Sequence, residues 1–276
     1  MVHRECGLLD QVLIVATLNT RGVPVRGSGL VERYAAIART FEDSPADVVS
    51  VQEVHTYGHL RLLTRGMPSF RWVTYARGPL GPCGGVVTLS RRPARAQQFQ
   101  RFSWPSAAGL PWRARLLSPS KGALVTRLSD PDVLVVNIHP TANTDGDWSS
   151  GGRFAPMHRQ QLATVARVVG SLPAPVVVCG DFNVPRETQL HREFMGEARL
   201  TDAFAGRCPP TFHAEYLPAG RPAQCIDFLL VSPSVVVDST SLMFTTPQPL
   251  AGGARGLVSD HVGLCATLRW SADQPA

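Results

Sequence analysis

Short runs of apolar residues recur along the chain, each bounded by Gly, Pro or Asp, and they limit the folds that it can adopt. Runs of about four to eight apolar residues with such boundaries are typical of strands buried inside a protein. The clearest runs are 12–18, 48–54, 85–89, 123–128, 133–138, 176–179, 226–231 and 262–268. The sequence therefore predicts a core of buried β-strands.

Helical patterns stand between some of these runs. Apolar residues repeat at helical spacing over 30–41 and 158–169, and a shorter pattern follows Tyr57. The segments 92–118 and 141–156 lack periodicity, so we expect long loops there. Because the 276 residues contain no internal repeat and no low-complexity linker, we expect one α/β domain over 1–276, with a core from about 12 to 268.

The composition argues against disordered, membrane-spanning and disulfide-rich proteins. Hydrophobic residues make up 44% of the chain and charged residues 17%, which is typical of a globular core. No apolar segment approaches the roughly 18 residues of a transmembrane helix, and the N-terminus has no signal-peptide pattern, so we expect a cytoplasmic protein. The six cysteines show neither disulfide-type nor zinc-type spacing. The net charge of +6 suits a polyanionic partner, although the excess of arginine over the single lysine, Lys121, also fits a coding bias.

Polar residues stand at the end of strand after strand, which is the most informative feature for function. They are Asn19, Glu53, His139, Asp181, Asn183, Asp227, Asp260 and His261. Taken singly, each fits a turn or a solvated strand end. Buried strand ends do not tolerate so much polarity unless the groups meet one another or a metal ion. We therefore expect these side chains to converge on one rim of the fold.

The chemistry of this set is that of phosphodiester hydrolysis. Carboxylate and amide oxygens are the ligands that Mg²⁺ or Mn²⁺ prefers, and the absence of paired cysteines makes zinc the poorer candidate. A histidine oriented by a carboxylate can take the proton of an attacking water, while Asn183 and His139 can donate to the phosphoryl oxygens. The sequence lacks the GxSxG elbow, the P-loop and the GxGxxG loop that would indicate other chemistries.

Six motifs, in order, resemble those of the endonuclease/exonuclease/phosphatase superfamily, which includes pancreatic-type deoxyribonucleases and neutral sphingomyelinases. They are LN at 18–19, QE at 52–53, NIH at 137–139, GDFN at 180–183, IDF at 226–228 and SDH at 259–261. The resemblance covers about 12–268 and implies a DNase I-like fold, a four-layer α/β/β/α sandwich of two mixed sheets flanked by helices. Within the superfamily the chain looks most like the neutral sphingomyelinase branch, through TLNTRGVPVRG, GPCGGVVTLSRRP, SPSKGAL and HRQQLATV.

The resemblance also implies a role for each residue of the set. Glu53 would be the principal metal ligand, with Asn19 and Asp260 close to the metal, which is Mg²⁺ or Mn²⁺. His261 would be the general base, paired with Asp227. Asp181 would position the water, and Asn183 and His139 would contact the phosphate.

The residues fit three functions. The leading one is a metal-dependent phosphodiesterase that cleaves a lipid headgroup or a similar small substrate, with peripheral contact to a membrane surface through loop tryptophans such as Trp104, Trp112 and Trp148. The second is a nuclease of the same fold, for which the arginines at 91, 92, 95 and 101 would supply phosphate contacts. The third is a catalytically inactive binding module, which the intact set of polar residues argues against. The branch often carries an aromatic residue where Arg21 stands here.

Overall fold

Two six-stranded β-sheets form the centre of the molecule, as a computed structural model describes it for residues 11–23, 29–102, 109–173 and 175–270. The helices of this part are α1 (Leu30–Glu42), α2 (Tyr57–Gly66), α3 (Trp112–Leu117), α4 (Ala155–Gly170) and α5 (Gln189–Ala198). The strands are β1 (Gln11–Asn19), β2 (Val48–Gln52), β3 (Trp72–Thr74), β4 (Val87–Ser90), β5 (Ala94–Arg101), β6 (Gly122–Ser129), β7 (Asp132–Ile138), β8 (Val176–Asp181), β9 (Thr201–Asp202), β10 (Asp227–Val231), β11 (Val236–Met243), β12 (Gln248–Pro249), β13 (Arg255–Gly256) and β14 (Gly263–Trp270).

Both large sheets are mixed. The first has the strand order β11-β14-β1-β2-β4-β3, in which β1 and β2 are parallel and the other pairs are antiparallel. The second has the order β5-β6-β7-β8-β10-β9, in which only β7 and β8 are parallel. Each sheet therefore contains one parallel pair near its middle, and the carboxyl ends of such a pair meet at one edge.

The sheets pack face to face with helices on the outer faces. Apolar side chains of β1 and β14 share one buried cluster with side chains of β7, β8 and β10, which fills the space between the sheets. A second cluster joins α1 and α2 to the outside of the first sheet. A third joins α4 and α5 to the outside of the second. This arrangement confirms the predicted four-layer α/β/β/α sandwich of two mixed sheets.

A buried pair of amides connects the two sheets directly beneath the rim. Gln52 at the end of β2 donates through Nε2 to Asn137 Oδ1 near the end of β7, at 2.8 Å. Asn137 in turn donates through Nδ2 to the carbonyl oxygens of Val51 and Val87, at 3.1 and 2.9 Å. Both amide side chains are fully buried, so these contacts hold the carboxyl ends of the two parallel pairs in register.

The eight predicted strands and three predicted helical regions are confirmed, with small changes at their ends. The segment 141–156 is a loop until α4 begins at Ala155. The prediction of a loop over 92–118 is wrong, because β5 and α3 lie in that segment, while Trp104 falls outside the described residues. Strand β5 lacks an apolar run because it lies at the edge of its sheet and most of its side chains are exposed.

No helix in the described part of the chain is both long enough and apolar enough to cross a lipid bilayer.

Removing the intersheet amide tests the importance of this contact. Replacement of Asn137 by Ala leaves the Gln52 amide and two strand carbonyls without their buried partner, so we expect a loss of about 3 kcal/mol in the free energy of unfolding. Urea denaturation measures it. Gln98→Ala, an exposed change on β5, is the control and should alter this free energy by less than about 0.5 kcal/mol. An equally small effect at Asn137 would contradict the account.

Candidate active site

The eight polar residues predicted to converge lie together at the rim where the two parallel pairs end. In the first sheet Asn19 is opposite Gln52, so Asn19 and Glu53 leave adjacent strands at the same level. In the second sheet Ile138 is opposite Gly180, so His139 and Asp181 also lie at the same level on adjacent strands. The remaining residues come from the loop after β8, from β10 and from the turn before β14. Contacts of 4.0 Å or less connect all eight side chains into one group.

Two unusual backbone conformations turn these side chains into the rim. Glu53 has a φ of 63°, a left-handed conformation that a side chain adopts only when its surroundings enforce it. Gly180 has a φ of 136°, and a Cβ there would lie 2.2 Å from the carbonyl oxygen of Ile138. Only glycine fits this point of the β8 backbone, which explains the residue immediately before Asp181.

His261 and Asp227 form a buried dyad. His261 Nδ1 lies 2.9 Å from Asp227 Oδ2, so the carboxylate fixes the orientation of the ring and leaves Nε2 facing the rim. Thr211 supports Asp227, because its Oγ1 accepts hydrogen bonds from the backbone N–H groups of Ile226 and Asp227. Burial by itself would lower the pKa of His261, but the charges of Asp227 and Asp181 outweigh it and raise the pKa to about 10.

Asp181 lies at the centre of the group. Its Oδ2 accepts from Asn19 Nδ2 at 2.9 Å and lies 3.6 Å from His139 Nε2 and 3.7 Å from His261 Nε2. Its Oδ1 accepts the backbone N–H of Asn183 at 2.8 Å. Burial raises the pKa of Asp181 to about 7, with a smaller opposing effect of the His261 charge. A carboxylate so deeply buried among other acids gains strongly from a neighbouring cation.

Lys121 fixes the state of His139. The Lys121 ammonium has only donors, and its Nζ lies 2.9 Å from His139 Nδ1, so Nδ1 accepts and the ring proton is placed on Nε2. Burial, followed by the charge of Lys121, keeps the pKa of His139 well below its usual value. His139 is therefore a neutral donor directed at the space beside Asp181 and Glu53.

Glu53, Asp260 and Arg21 form the open side of the group. The side chains of Glu53 and Asp260 are about one-fifth exposed, at 19% and 21%, whereas Asp181, Asp227 and both histidines are almost fully buried. Asp260 Oδ2 lies 3.6 Å from Arg21 Nε, and Asp260 Oδ1 lies 3.9 Å from His261 Nε2. A ligand entering from solvent would meet these groups before the buried dyad.

The donor set fits a hard divalent cation. Asp181, Asp227 and His261 offer ligand atoms that all lie within 4.8 Å of one another, and the carboxylate of Glu53 shares the Asn19 amide with Asp181. This arrangement brings several carboxylate oxygens close together, and the surrounding amides and histidines hold them in place. Oxygen-rich sites of this kind suit Mg²⁺ or Mn²⁺. Asn19 presents its amide nitrogen to both carboxylates, so it orients them.

Several supporting residues carry no signal of their own in the sequence. Gln161 on α4 accepts from the Thr141 N–H and donates to the hydroxyls of Thr141 and Ser118, which ties the loop after His139 to the turn before Lys121. Thr211 lies in an irregular segment, and its contact with β10 spans 16 residues. Lys121 is the exception, because it is the only lysine of an arginine-rich chain and is therefore conspicuous in the sequence.

Comparison with known proteins gives one family and many structures of the same fold. The family model described as Endonuclease/Exonuclease/phosphatase family matches residues 16–261. A search of curated protein sequences found no significant match. Three of the similar structures are aligned over most of both chains. At their low sequence identities they establish that the fold is shared.

The first is an endonuclease/exonuclease/phosphatase family protein from Bacteroides thetaiotaomicron, at 19% identity and a TM-score of 0.70, covering 98% of this chain and 99% of that one. The second is TDP2 from D. rerio complexed with a single-strand DNA product, at 16% identity and a TM-score of 0.70, covering 94% and 99%. The third is sphingomyelinase C from Streptomyces griseocarneus, at 19% identity and a TM-score of 0.64, covering 93% and 99%.

The raised pKa of His261 predicts how the dyad contributes to stability. In metal-free protein the charged pair stabilises the fold fully below pH 6.5, and this contribution is lost as the pH rises through about 10. Asp227→Asn should lower the pKa of His261 and remove most of this pH dependence. Histidine NMR titration and urea denaturation between pH 6 and 10.5, both with EDTA, measure the two effects. An unchanged His261 pKa in the variant would refute the pairing.

Proposed function

The chain belongs to the endonuclease/exonuclease/phosphatase family, as its motifs indicated, and we propose that it is a metal-dependent phosphodiesterase in which His261 activates the attacking water. The observation that carries this proposal is the dyad: Asp227 occupies His261 Nδ1 and leaves Nε2 facing Asp181 across the rim. A base held in this way can accept a proton at one defined atom.

Each residue of the group receives one role. His261 Nε2 takes the proton of the water, and Asp181, 3.7 Å away, orients that water. His139 Nε2–H and the Asn183 amide donate to the phosphoryl oxygens, where negative charge develops during attack. Asn183 Nδ2 donates to the Pro140 carbonyl and to Asp181 Oδ2, both at 3.2 Å, and would exchange one of these acceptors for a phosphoryl oxygen. His139 is held by Lys121.

The cation is proposed to be Mg²⁺, with Mn²⁺ as the substitute. Glu53 would hold it, with Asp260 beside it and Asn19 orienting the Glu53 carboxylate. When bound, such an ion neutralises the phosphoryl oxygens and lowers the barrier to attack. Four carboxylates, those of Glu53, Asp181, Asp227 and Asp260, converge on two positively charged groups that contact them, Arg21 and His261, and this excess of negative charge supports the assignment.

For the substrate, we propose a small or headgroup-type diester, as in the sphingomyelinase-like branch, rather than a nucleic acid. Arg91 and Arg92 follow β4 at the edge opposite the active site, since Ser90 pairs with Val48 at the start of β2. Arg91 donates to the carbonyl oxygens of Glu42 and Ser44 at the end of α1, and Arg92 pairs with Asp47 at 2.9 Å. Two of the four arginines that would supply phosphate contacts in a nuclease are therefore already bound to other protein groups.

A peripheral membrane contact fits the surface of α3. Trp112 and Leu116 are 66% and 67% exposed, and α3 leads directly into the turn that carries Lys121. Two exposed large apolar side chains one helical turn apart are typical of proteins that touch a lipid surface.

A competition of substrates tests the reaction class. Sphingomyelin, a lysophospholipid, supercoiled plasmid and bis(p-nitrophenyl) phosphate are incubated with Mg²⁺, and with EDTA in parallel. We expect Mg²⁺-dependent hydrolysis of a lipid or small diester without nicking of the plasmid. Nicking without lipid cleavage would favour the nuclease, and no activity on any substrate would favour an inactive binding module.

Two substitutions test the roles within the site. His261→Ala should lower turnover by roughly 10²–10⁴-fold while the protein remains folded, because the base is lost. Glu53→Gln should shift the Mg²⁺ concentration needed for half activity upward by at least about 10-fold. Glu193→Gln on α5 is the matched control, since that carboxylate pairs with Arg159 at the surface. Activity of His261→Ala within a few-fold of wild type would sink the assignment.

A further inference from the structure

Arg21 lies beside the active site, and the roles proposed above leave it unused. It follows Asn19 by two residues, and its backbone N–H donates to Asn19 Oδ1 at 3.0 Å. Its φ of 49° is left-handed, so the chain turns sharply here and places the side chain over the rim. Arg33 stabilises this turn from below by donating to the carbonyl oxygens of Thr20 and Arg21.

The guanidinium of Arg21 is held on two sides. Its Cζ lies 4.1 Å from the centre of the Tyr216 ring, a cation–π contact. Its Nε lies 3.6 Å from Asp260 Oδ2. Tyr216 belongs to a short 3₁₀ helix, Ala214–Tyr216, and the preceding His213 donates its backbone N–H to the carbonyl oxygen of Asp260 at 2.8 Å. The aromatic ring and Asp260 are therefore fixed relative to each other, and they orient the guanidinium between them.

The outer edge of the guanidinium remains available. Within the described part of the chain, no protein acceptor lies within hydrogen-bond distance of Arg21 Nη1 or Nη2, and the side chain is 29% exposed. This contrasts with Arg33, whose terminal nitrogens donate to three backbone carbonyl oxygens and which is buried. Arg33 thus has a structural role, whereas Arg21 presents an oriented pair of donors to solvent beside Asp260 and His261.

The two terminal N–H groups of Arg21 form a fork of parallel donors, and such a fork recognises an anionic group. Two parallel N–H groups of arginine match the spacing of two oxygens of a phosphate or carboxylate, and stacking on an aromatic ring leaves this edge free to bind. The fork lies next to Asp260, whose other oxygen is 3.9 Å from the proposed base. Its position therefore suits a group on the arm of the diester adjacent to the reacting phosphate.

We propose that Arg21, stacked on Tyr216 and oriented by Asp260, forms a subsite for a second anionic group, a phosphate or carboxylate, on the substrate next to the phosphodiester that is cleaved. This inference rests on the proposed phosphodiesterase function and defines its substrate class. Among the small and headgroup-type diesters of the proposed function, one with an anionic arm is therefore favoured and one with a neutral arm is accepted less well. A cationic choline arm, as in sphingomyelin, is the poorest. The source of the anionic group is either a nucleotide or a headgroup.

Binding of matched ligands tests the subsite without requiring turnover. Calorimetry with Mg²⁺ compares thymidine 5′-monophosphate with thymidine 3′,5′-bisphosphate, and methyl phosphate with ethanediol bisphosphate. We expect wild-type protein to bind at least one bisphosphate more tightly than its monophosphate, by about 10- to 100-fold. The pair that shows this preference identifies the nucleotide or the headgroup as the source.

Three variants separate the subsite from general effects on the site. Arg21→Gln should abolish the preference for the bisphosphate while leaving monophosphate affinity within about 3-fold, and Tyr216→Leu should reduce the preference. Arg159→Gln, an exposed arginine on α4 paired with Glu193, is the control and should change neither affinity. Thermal denaturation of each variant confirms that the fold persists.

Turnover of p-nitrophenyl diesters with methyl, choline and 2-phosphoethyl arms gives the second readout. In Arg21→Gln only the 2-phosphoethyl compound should lose kcat/KM, by about 10-fold or more. Equal losses on all three arms, or no bisphosphate preference in the wild type, would overturn the subsite. If the phosphodiesterase proposal itself is wrong, the methyl diester is not cleaved with Mg²⁺ by wild-type protein, and the calorimetric preference still decides the subsite.

Discussion

The hydrogen bond between the buried amides of Gln52 and Asn137 is the contact on which the geometry of the rim depends. It joins the two sheets one residue before Glu53 and two residues before His139, so each half of the group comes from a different sheet. If one sheet slid along the other by one residue, a shift of about 3.3 Å, the side chains at the ends of the two parallel pairs would no longer meet. The hydrogen bond from Gln52 Nε2 to Asn137 opposes such a slide. The left-handed turn at Glu53 then directs its carboxylate toward His139.

The electrostatics of the rim follow from this convergence. Packing Asp181 and Asp227 around His261 in a buried space raises the pKa of Asp181 and of His261 together. On the other side, Lys121 and burial keep His139 neutral. The two histidines therefore differ in charge state although they lie near the same carboxylate. A divalent cation would reduce the negative charge that keeps the proton on His261, which links the proposed metal requirement to the proposed base without any change in the fold.

The sequence was most informative where a local pattern carried the structure. Apolar runs identified the buried strands, and the polar residues that end them, from Asn19 to His261, identified the rim, because burial of so many polar groups requires that they meet. Strand β5 and helix α5 were missed, since β5 lies at an exposed edge and α5 has only a short buried face, with Leu190, Phe194 and Ala198. The contacts of Thr211 with Asp227, of Lys121 with His139 and of Arg21 with Tyr216 also escaped prediction. Lys121 reaches His139 because β6 and β7 pair with Ala123 opposite Ile138, and Thr211 reaches β10 from an irregular segment. Such contacts depend on strand register and loop geometry, which the residue pattern does not specify.

In the proposed reaction, water activated at this rim attacks the phosphorus atom of a diester. Hydrolysis of a p-nitrophenyl phosphodiester in H₂¹⁸O with Mg²⁺, followed by mass spectrometry of both products, tests it most directly. We expect one ¹⁸O atom in the phosphomonoester, none in the p-nitrophenol, and no product when EDTA replaces Mg²⁺. Label in the p-nitrophenol, or full activity in EDTA, would contradict it.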